Sequence, residues 1–498
     1  MASSLTKETT APAGENTFLG HPRGLANLFM TEMWERYSFY GMRALLVLYL
    51  SATVADGGLG LTLATATAIY SVYNALVYLL ALPGGWLGDR VWGPRKTTAI
   101  GGTIIMSGHF TLALPWEGSF FAGLGLIAAG SGLLKANIST MVGHLYADKN
   151  DPRRDAGFSV FYMAINIGAF AAPLTIGTIG QKVSWHLGFA LAGVGMAIGL
   201  MFFLLGFRHL APESDVVSSP VSADEKASLL KKAGFWALLA VVFYGVVVGG
   251  GWYTVNWMLW PLTIIGLALP IWYLVKIKRD RDLSGVEQSR MTAYIWFFVV
   301  AAMFWGIYDQ TGSTLTVFAN EHTSNSLFGM HFPSTWFQSL NPLYIMALAP
   351  VAAWLWVALN KRGKEPSTIT KFANGVFLIG LSFLVMMLAQ GVATGDTKVS
   401  PLWLCVVYLV QTIGELTLSP VGLSLTTKLA PEKYSSQMMG VFFLAVTAGD
   451  STIALLQLIG APTGTQAWFA SQGAIAVLAG VAVFMYRKKV NKLMGGVH

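Results

Sequence analysis

The apolar stretch from Leu25 to Leu50 is long enough to cross a bilayer, yet it contains four charged residues. A membrane-spanning helix needs about 20 mostly apolar residues, and a charge at membrane depth is costly and usually functional. At about 100° of rotation per residue, all four charges fall on one helical face with Phe39 and Tyr40. The four residues are Glu32, Glu35, Arg36 and Arg43. We expect this face to line a polar cavity; the alternative is a cluster of structural ion pairs at the membrane border.

Two carboxylates next to two guanidinium groups couple proton binding to ion pairing. Protonation of one carboxylate frees an arginine for another partner. The first helix therefore predicts a site at which proton occupancy changes the contacts to other helices. An anchor at the membrane border does not need four charges on one face, and this favours the functional interpretation.

The composition indicates an integral membrane protein. Of the 498 residues, 54% are hydrophobic and 11% are charged, whereas a soluble protein has about 25% charged residues. The single cysteine, Cys405, excludes an intrachain disulfide and a cysteine-based zinc site. The sequence contains no HExxH, GxSxG or Walker-type motif and no close pair of histidines. An enzyme is therefore the least favoured class, and we expect no cofactor and no metal.

The apolar segments predict an all-α integral membrane protein with fourteen transmembrane helices. We expect two six-helix bundles with two extra helices between them. The extra helices carry no charge in their apolar stretches, which favours a lipid-facing scaffold. The predicted segments are 1–24 (N-terminal segment), 25–207 (first bundle), 208–233 (linker), 234–276 (extra helices), 277–290 (basic loop), 291–487 (second bundle) and 488–498 (tail). This layout resembles that of major facilitator transporters, in which a central site lies between two repeats.

The distribution of basic residues predicts the orientation in the membrane. We place Arg36, Arg43 and Lys135 within the membrane and, of the remaining basic residues, only Lys182 and Lys398 on the far side. Because cytoplasmic loops are enriched in Lys and Arg, both termini of this multi-pass chain are expected in the cytoplasm. The formal net charge of +8 then requires no nucleic acid, and the basic tail is expected to lie beside anionic lipid.

The loop after the second helix indicates a transporter superfamily. It reads Gly84-Gly85-Trp86-Leu87-Gly88-Asp89-Arg90. Glycines permit a tight turn, and Asp89 with the nearby bases can pair with neighbouring helix ends in one state of a gate. We therefore predict a gating role for Asp89, although the motif alone does not indicate a substrate.

The two halves differ in the sign of their intramembrane charges. The first half has Arg43 and Lys135, and the second half has Asp309 and Glu415. Unpaired charges in a membrane are so unfavourable that they usually serve a function. A cavity between the halves would suit a zwitterion with separated charged ends. Asp450 is a further intramembrane carboxylate, and a structural role and a minor proton site are equally compatible with it.

An ordered set of motifs covers the chain from about residue 22 to residue 487. The first helix has Glu32-x-x-Glu35-Arg36 followed by Tyr40, Gly41 and Arg43. The segments that follow are 84–93, 158–169, 185–189, 304–313, 336–342 and 414–420. Through these motifs the chain resembles the proton-coupled oligopeptide transporters of bacteria. One such match could arise by chance, but the ordered set does not.

The resemblance implies that the chain imports di- and tripeptides across the bacterial cytoplasmic (inner) membrane by alternating access. By analogy, Arg43 and Lys135 face the peptide carboxylate, and Glu415 faces the amino end. The other residues that the resemblance places at the substrate are Tyr40, Tyr78, Asn166, Trp305, Asn341, Ser419 and Phe442. The expected partners are peptides, protons and membrane lipid, and the chain is expected to act as a monomer.

The resemblance also implies roles in proton coupling and gating. A proton gradient is the expected energy source, and the residues that would respond to it are Glu32, Glu35, Arg36 and Asp309. Two charge pairs between the halves are expected to stabilise alternate closed states. These pairs are Arg43 with Asp309 and Lys135 with Glu415.

The chain departs from the family pattern at two positions. Asp309 stands where relatives commonly have Glu, so its reach to Arg43 is shorter. Phe442 stands where many bacterial relatives have Trp, which affects the size of the pocket. The first two spans lack the histidine that animal relatives use in proton coupling, which shifts that task to the carboxylates. A transporter of the same fold for nitrate or another small metabolite is the alternative function.

Overall fold

The computed structural model is helical apart from one short hairpin, and it describes residues 17–146, 151, 153–393, 395 and 397–495. The side chains of residues 419–421, 423, 435, 436 and 439 lie outside this description. Helices run back and forth between two ends of the molecule. We call the end at which α1 (Arg23–Ser51) begins the terminal end, and the end at which α1 finishes the distal end.

The first half forms six helical rods, two of which consist of two consecutive helices joined by a turn. Its helices are α1, α2 (Leu63–Leu79), α3 (Ala81–Leu87), α4 (Pro94–Leu112), α5 (Glu117–His144), α6 (Arg153–Ala172), α7 (Thr178–Lys182) and α8 (Trp185–Leu205). Two rods contain a π-helical turn, Gly88–Trp92 after α3 and Pro173–Gly177 between α6 and α7. At the second turn Pro173 supplies no backbone N–H, and the wider turn accommodates this loss without ending the rod.

The second half also forms six rods. Its helices are α11 (Gly285–Tyr308), α12 (Thr314–Glu321), α13 (Leu340–Lys361), α14 (Thr368–Val392), α15 (Leu402–Leu429), α16 (Ser435–Leu458) and α17 (Gln466–Leu493). A 3₁₀ turn, Asp309–Gly312, joins α11 to α12. At the distal end a two-stranded antiparallel hairpin pairs β1 (Ser326–Leu327) with β2 (Met330–His331), and Ser326 lies opposite His331.

Two extra helices connect the halves, α9 (Ala223–Gly249) and α10 (Asn256–Lys278). α9 begins inside the segment that we predicted as linker, because the Ser222 hydroxyl caps it by accepting a hydrogen bond from the Glu225 N–H. Val247 is the one buried residue of α9. α10 instead packs against both α2 and α16. A Cβ atom on its Gly266 would lie 2.1 Å from Ser451 Oγ, so only glycine permits this approach.

The connecting segments are held at the terminal end by ion pairs to both halves. Arg90 of the loop after α3 forms a bidentate pair with Glu225 of α9, both N–O distances being 3.0 Å. On the other side, Lys433 lies 2.8 Å from Asp280 and 2.7 Å from Asp282. Hydrogen bonds from Lys433, and then from Tyr434, hold the pKa of Asp280 well below its usual value. The extra pair of helices is thus attached to one half at its beginning and to the other at its end.

Eleven rods within the described residues are long and apolar enough to cross a membrane. α1, α4 and α15 run between the same two ends of the molecule. α1 contains five charged residues, Arg23, Glu32, Glu35, Arg36 and Arg43, and α15 spans Leu402–Leu429. With these three, the described residues form fourteen helical rods, the number of helices that the sequence predicts.

Buried apolar side chains form two separate clusters. One draws almost all its members from 25–210, and the other draws almost all its members from 274–494. Each half therefore folds around its own apolar core, as burial of apolar surface favours.

Candidate functional site

The charged face of α1 points into the space between the halves and is nearly closed to solvent. Glu32, Glu35 and Arg36 are each no more than 4% exposed. The Arg36 guanidinium lies 3.2 Å from Glu32 Oε1 and donates a hydrogen bond to Glu35 Oε2. Glu32 Oε2, Glu35 Oε1 and Arg36 Nη2 are buried without a hydrogen-bond partner among the described residues. Because buried polar atoms normally have partners, this triad has unused capacity for a proton or another charged group.

Arg43 crosses from α1 to the second half and meets the 3₁₀ turn between α11 and α12. Its Nη2 lies 3.3 Å from Asp309 Oδ1 and donates to the Asp309 backbone oxygen at 3.3 Å and to Thr311 Oγ1 at 3.0 Å. The shorter aspartate therefore reaches the arginine, because the turn brings its backbone to the guanidinium as well. We call Arg43, Asp309 and Thr311 the Arg43 cluster.

The Arg43 cluster is enclosed by aromatic rings and by a glycine. The guanidinium carbon lies 5.7 Å from the ring centroids of both Tyr40 and Tyr70, within the range of cation–π attraction. A Cβ atom on Gly312 would lie 2.3 Å from the Tyr70 hydroxyl and 2.6 Å from Arg43 Nε. Only glycine at this position allows the two halves to approach so closely.

The distal end is closed by further hydrogen bonds between the halves. Gln181 Nε2 donates to Ser334 Oγ at 2.8 Å, and Trp336 Nε1 donates to Thr178 Oγ1 at 2.8 Å. Ser339 Oγ donates to the Phe170 backbone oxygen at 2.8 Å. The structure is thus a state in which the halves are joined from the level of Arg43 to the distal end.

Lys135 of α5 lies on the first-half wall of the central space. Its Nζ is 3.6 Å from the ring centroid of Tyr78, and Glu32 and Glu35 act on it electrostatically. The Tyr78 ring in turn stacks on Phe443 of α16, with centroids 6.3 Å apart. In this state Lys135 therefore interacts electrostatically with the charged face of α1.

Glu415 of α15 lies on the opposite wall. Its Oε2 accepts a hydrogen bond of 3.0 Å from Asn341 Nδ2, which also donates to Thr412 Oγ1. Tyr162 is electrostatically coupled to Glu415 and to Tyr40, yet it is 45% exposed. Glu415 itself is buried, with 8% of its surface exposed. The expected pair of Lys135 with Glu415 is not formed here, because each charge has a different partner.

The remaining residues predicted at the substrate are distributed unevenly. Asn166 is buried and bonds to the backbone of its own helix at Tyr162. Trp305 is half-buried against Phe304, and its indole N–H has no partner among the described residues. Ser419 was predicted to contact the substrate, but its side chain lies outside the described residues.

Two predicted residues lie away from the central space. Phe442 packs into the core of the second half, where a Cβ atom on Gly422 would lie 2.8 Å from its ring. The neighbouring Phe443 instead stacks on Tyr78, since adjacent residues of a helix point about 100° apart. Asp89 is exposed at the terminal end, and its backbone oxygen accepts a hydrogen bond from the Ser219 N–H.

Several polar residues at this interface were missed from the sequence. Tyr70, Asn74 and Thr311 all lie between the halves and are at most 7% exposed. Their sequence signal is weak, because isolated polar residues in membrane helices most often join helices to one another. Asn74 becomes notable only through its partner, since it donates a hydrogen bond to Asp450.

The comparisons with known proteins extend over nearly the whole chain. A family model described as PTR2, POT family, matches residues 95–467. A protein of Bacillus subtilis (strain 168), described as an uncharacterized transporter, is 41% identical over 100% of both chains. A di-/tripeptide transporter of Lactococcus lactis subsp. cremoris is 41% identical, over 97% of this chain and 98% of the relative. The crystal structure of a mutant peptide transporter POT in complex with alafosfalin is 43% identical and has a TM-score of 0.90, with 97% of this chain and 98% of that chain covered.

Proposed function

Since this chain belongs to the POT family, we propose that it is a symporter that imports di- and tripeptides together with protons. The predicted family, the all-α major facilitator fold and the class of transporter rather than enzyme are confirmed by the comparisons. The proposal of substrate and mechanism goes further. It is supported by the relatives, among them a di-/tripeptide transporter of Lactococcus lactis, and by the charged residues between the two halves.

The observation that carries the substrate class is the separation of charge across this space. Lys135 belongs to the first half and Glu415 to the second half, and in this state they contact different partners, Tyr78 and Asn341. A peptide of any sequence has a carboxylate at one end and an ammonium group at the other. We assign the carboxylate to Lys135 and Arg43 and the ammonium group to Glu415. Fixed charges at the ends and a roomy middle permit many side chains.

The proton is assigned to the charged face of α1. Glu32 and Glu35 share Arg36, so protonation of either carboxylate leaves the guanidinium free for another partner. Lys135 is the nearest candidate for rearrangement, because both carboxylates act on it. Proton binding at α1 would thereby change the charge that the peptide carboxylate meets. Asp309 is the second proposed proton site, since its Oδ2 has no hydrogen-bond partner among the described residues.

The orientation follows from the distribution of basic residues. If the terminal end faces the cytoplasm, the closed distal end faces outward, and the structure is an inward-facing state. In this proposal Arg43 with Asp309 closes the outer side, and Lys135 with Glu415 would approach each other when the inner side closes. The chain is proposed to work in the bacterial inner membrane as a monomer.

Uptake into proteoliposomes tests the proposal. The vesicles carry an inside-negative potential with acid outside, and the uptake of labelled dialanine is measured against three kinds of unlabelled competitor. Free dialanine should compete strongly, whereas dialanine with an acetylated amino end or an amidated carboxyl end should compete weakly, because a blocked end leaves a charged group of the site unpaired. Driven uptake of labelled nitrate without uptake of dialanine would favour the alternative substrate class.

A matched pair of lysine variants controls this experiment. Lys135→Ala should abolish the driven uptake of dialanine, whereas Lys182→Ala, at an exposed position of the distal end, should retain it. If blocked peptides compete as well as the free zwitterion, the assignment of the charged ends is wrong.

A further inference from the structure

A buried carboxylate outside the proposed proton sites lies at the interface of the two halves. Asp450 of α16 is 2% exposed. Its Oδ2 accepts a hydrogen bond of 2.7 Å from Nδ2 of Asn74 in α2, which is also 2% exposed. A buried carboxylate is costly unless it is neutral or has a charged partner. The amide of Asn74 is a neutral donor, so it does not balance a charge on Asp450.

This contact is part of a seam that must separate when the distal end opens. Along the antiparallel helices α2 and α16, Ser71 Oγ donates to Gln457 Oε1 at 3.2 Å, and Thr447 Oγ1 donates to the Ala75 backbone oxygen at 3.2 Å. The Asn74–Asp450 bond lies between these two uncharged bonds. It is therefore the one bond of the three that involves a titratable group.

The charged groups that face Asp450 come from the Arg43 cluster. Asp309 and Arg43 both act on it electrostatically, and Asn74 lies beside Asp309 as well. Tyr70 of α2 is the titratable neighbour within the seam, and α10 contributes the uncharged Gly266 on the other side of α16. One guanidinium thus faces two carboxylates in a closed interface, and Asp309 holds the ion pair with it.

We propose that Asp450 binds a proton when the distal end closes and releases it when α2 and α16 separate. In the closed state Asp309 carries the negative charge that Arg43 requires, and Asp450 is a neutral carboxylic acid that accepts from Asn74. In the open state water reaches Asp450, which ionises and returns the proton to the solution on the distal side. Closure of the distal end therefore takes up one proton at Asp450. Asp450 is a positioning residue, because it acts on the interface and not on the substrate.

This proposal rests on alternating access in the proposed function, but its test does not require a peptide. Spin labels are placed at two exposed positions of the distal end, Lys182→Cys in the first half and Phe328→Cys in the hairpin of the second half, with Cys405→Ser as background. The distance between the labels is measured by pulsed electron paramagnetic resonance in nanodiscs from pH 5.5 to pH 8. With Asp450 present, the population with the short distance should increase as the pH falls.

Asp450→Asn keeps the acceptor for Asn74 but removes the charge. In this variant the closed-to-open ratio at pH 8 should rise at least tenfold, because a difference of one pKa unit between the two states already corresponds to about a factor of ten. Its dependence on pH should become correspondingly weaker. Gln457→Leu is the matched control, because it removes an uncharged bond of the same seam; it should lower the closed population equally at each pH.

Two outcomes would overturn the proposal. If Asp450→Asn keeps the pH dependence of the parent while Asp450→Ala opens the distal end at every pH, Asp450 is only a structural contact. If the distance distribution of the parent does not change with pH, no proton is taken up on closure. Failure of the peptide uptake experiment with a normal pH response here would reject the substrate and leave the role of Asp450 intact.

Discussion

Replacement of Asp309 by asparagine removes one charge from the Arg43 cluster and keeps the size of the side chain. Two unit charges 3.3 Å apart attract each other by about 5 kcal/mol at an effective dielectric constant of about 20. The variant does not lose all of this, because Arg43 still donates to the Asp309 backbone oxygen and to Thr311 Oγ1. We expect the closed distal end to lose about 2 kcal/mol, less than the 3–5 kcal/mol that is typical when a buried pair loses one partner. This loss corresponds to about a thirtyfold fall in the closed-to-open ratio.

Initial rates of dialanine uptake into proteoliposomes with acid outside measure the consequence. Asp309→Asn should lower the driven uptake rate at least about tenfold. Each transport cycle requires the distal end to close, and in this variant it closes less often. Asp309→Glu should retain transport, because it restores the residue that relatives commonly have. Asp56→Asn, the same exchange at an exposed position of the distal end, is the control and should retain the parent rate. Equal uptake by the Asn and Asp forms would show that Asp309 neither stabilises the closed state through Arg43 nor exchanges a proton.

Three further predictions concern the central space and its closure. Lys135→Ala and Glu415→Ala should each abolish driven uptake in correctly folded protein, because the remaining charge would be unpaired when the inner side closes; strong uptake by either variant would reject their roles. Glu32→Gln and Glu35→Gln should lose gradient-driven accumulation, and at least one should retain counterflow of labelled dipeptide without a gradient. If both still concentrate peptide, the proton path lies elsewhere. Gly312→Ala should open the distal end, because its Cβ atom would lie 2.6 Å from the guanidinium of the Arg43 cluster; an unchanged label distance would contradict the packing argument.

The sequence was most informative where chemistry restricts the choice of residue. Charges in apolar helices are so unfavourable that Glu32, Arg36 and Arg43 had to face the interior, and their places in the structure agree with this. The number of helices followed from the bilayer thickness in the same way. The beginning of α9 was also readable in principle, because Ser222 and Glu225 have the spacing of a helix cap.

The sequence was less informative where packing between distant segments decides. Phe442 and Phe443 are both aromatic, and only the contact with Gly422 of another helix determines which ring turns into the core. The bond of Asn74 to Asp450 joins residues that are far apart in the chain. No local pattern contains either fact, since both depend on the relative rotation of helices that pack against each other.

The exposure of α9 has a consequence for how its sequence evolves. A helix with one buried residue makes few packing contacts within the protein. Most substitutions along it therefore need only keep its surface apolar. Beyond the first turn, where Glu225 binds Arg90, we expect one apolar residue of α9 to replace another with little effect. We therefore expect α9 to diverge faster among descendants of this chain than α10, whose Gly266 is confined by Ser451.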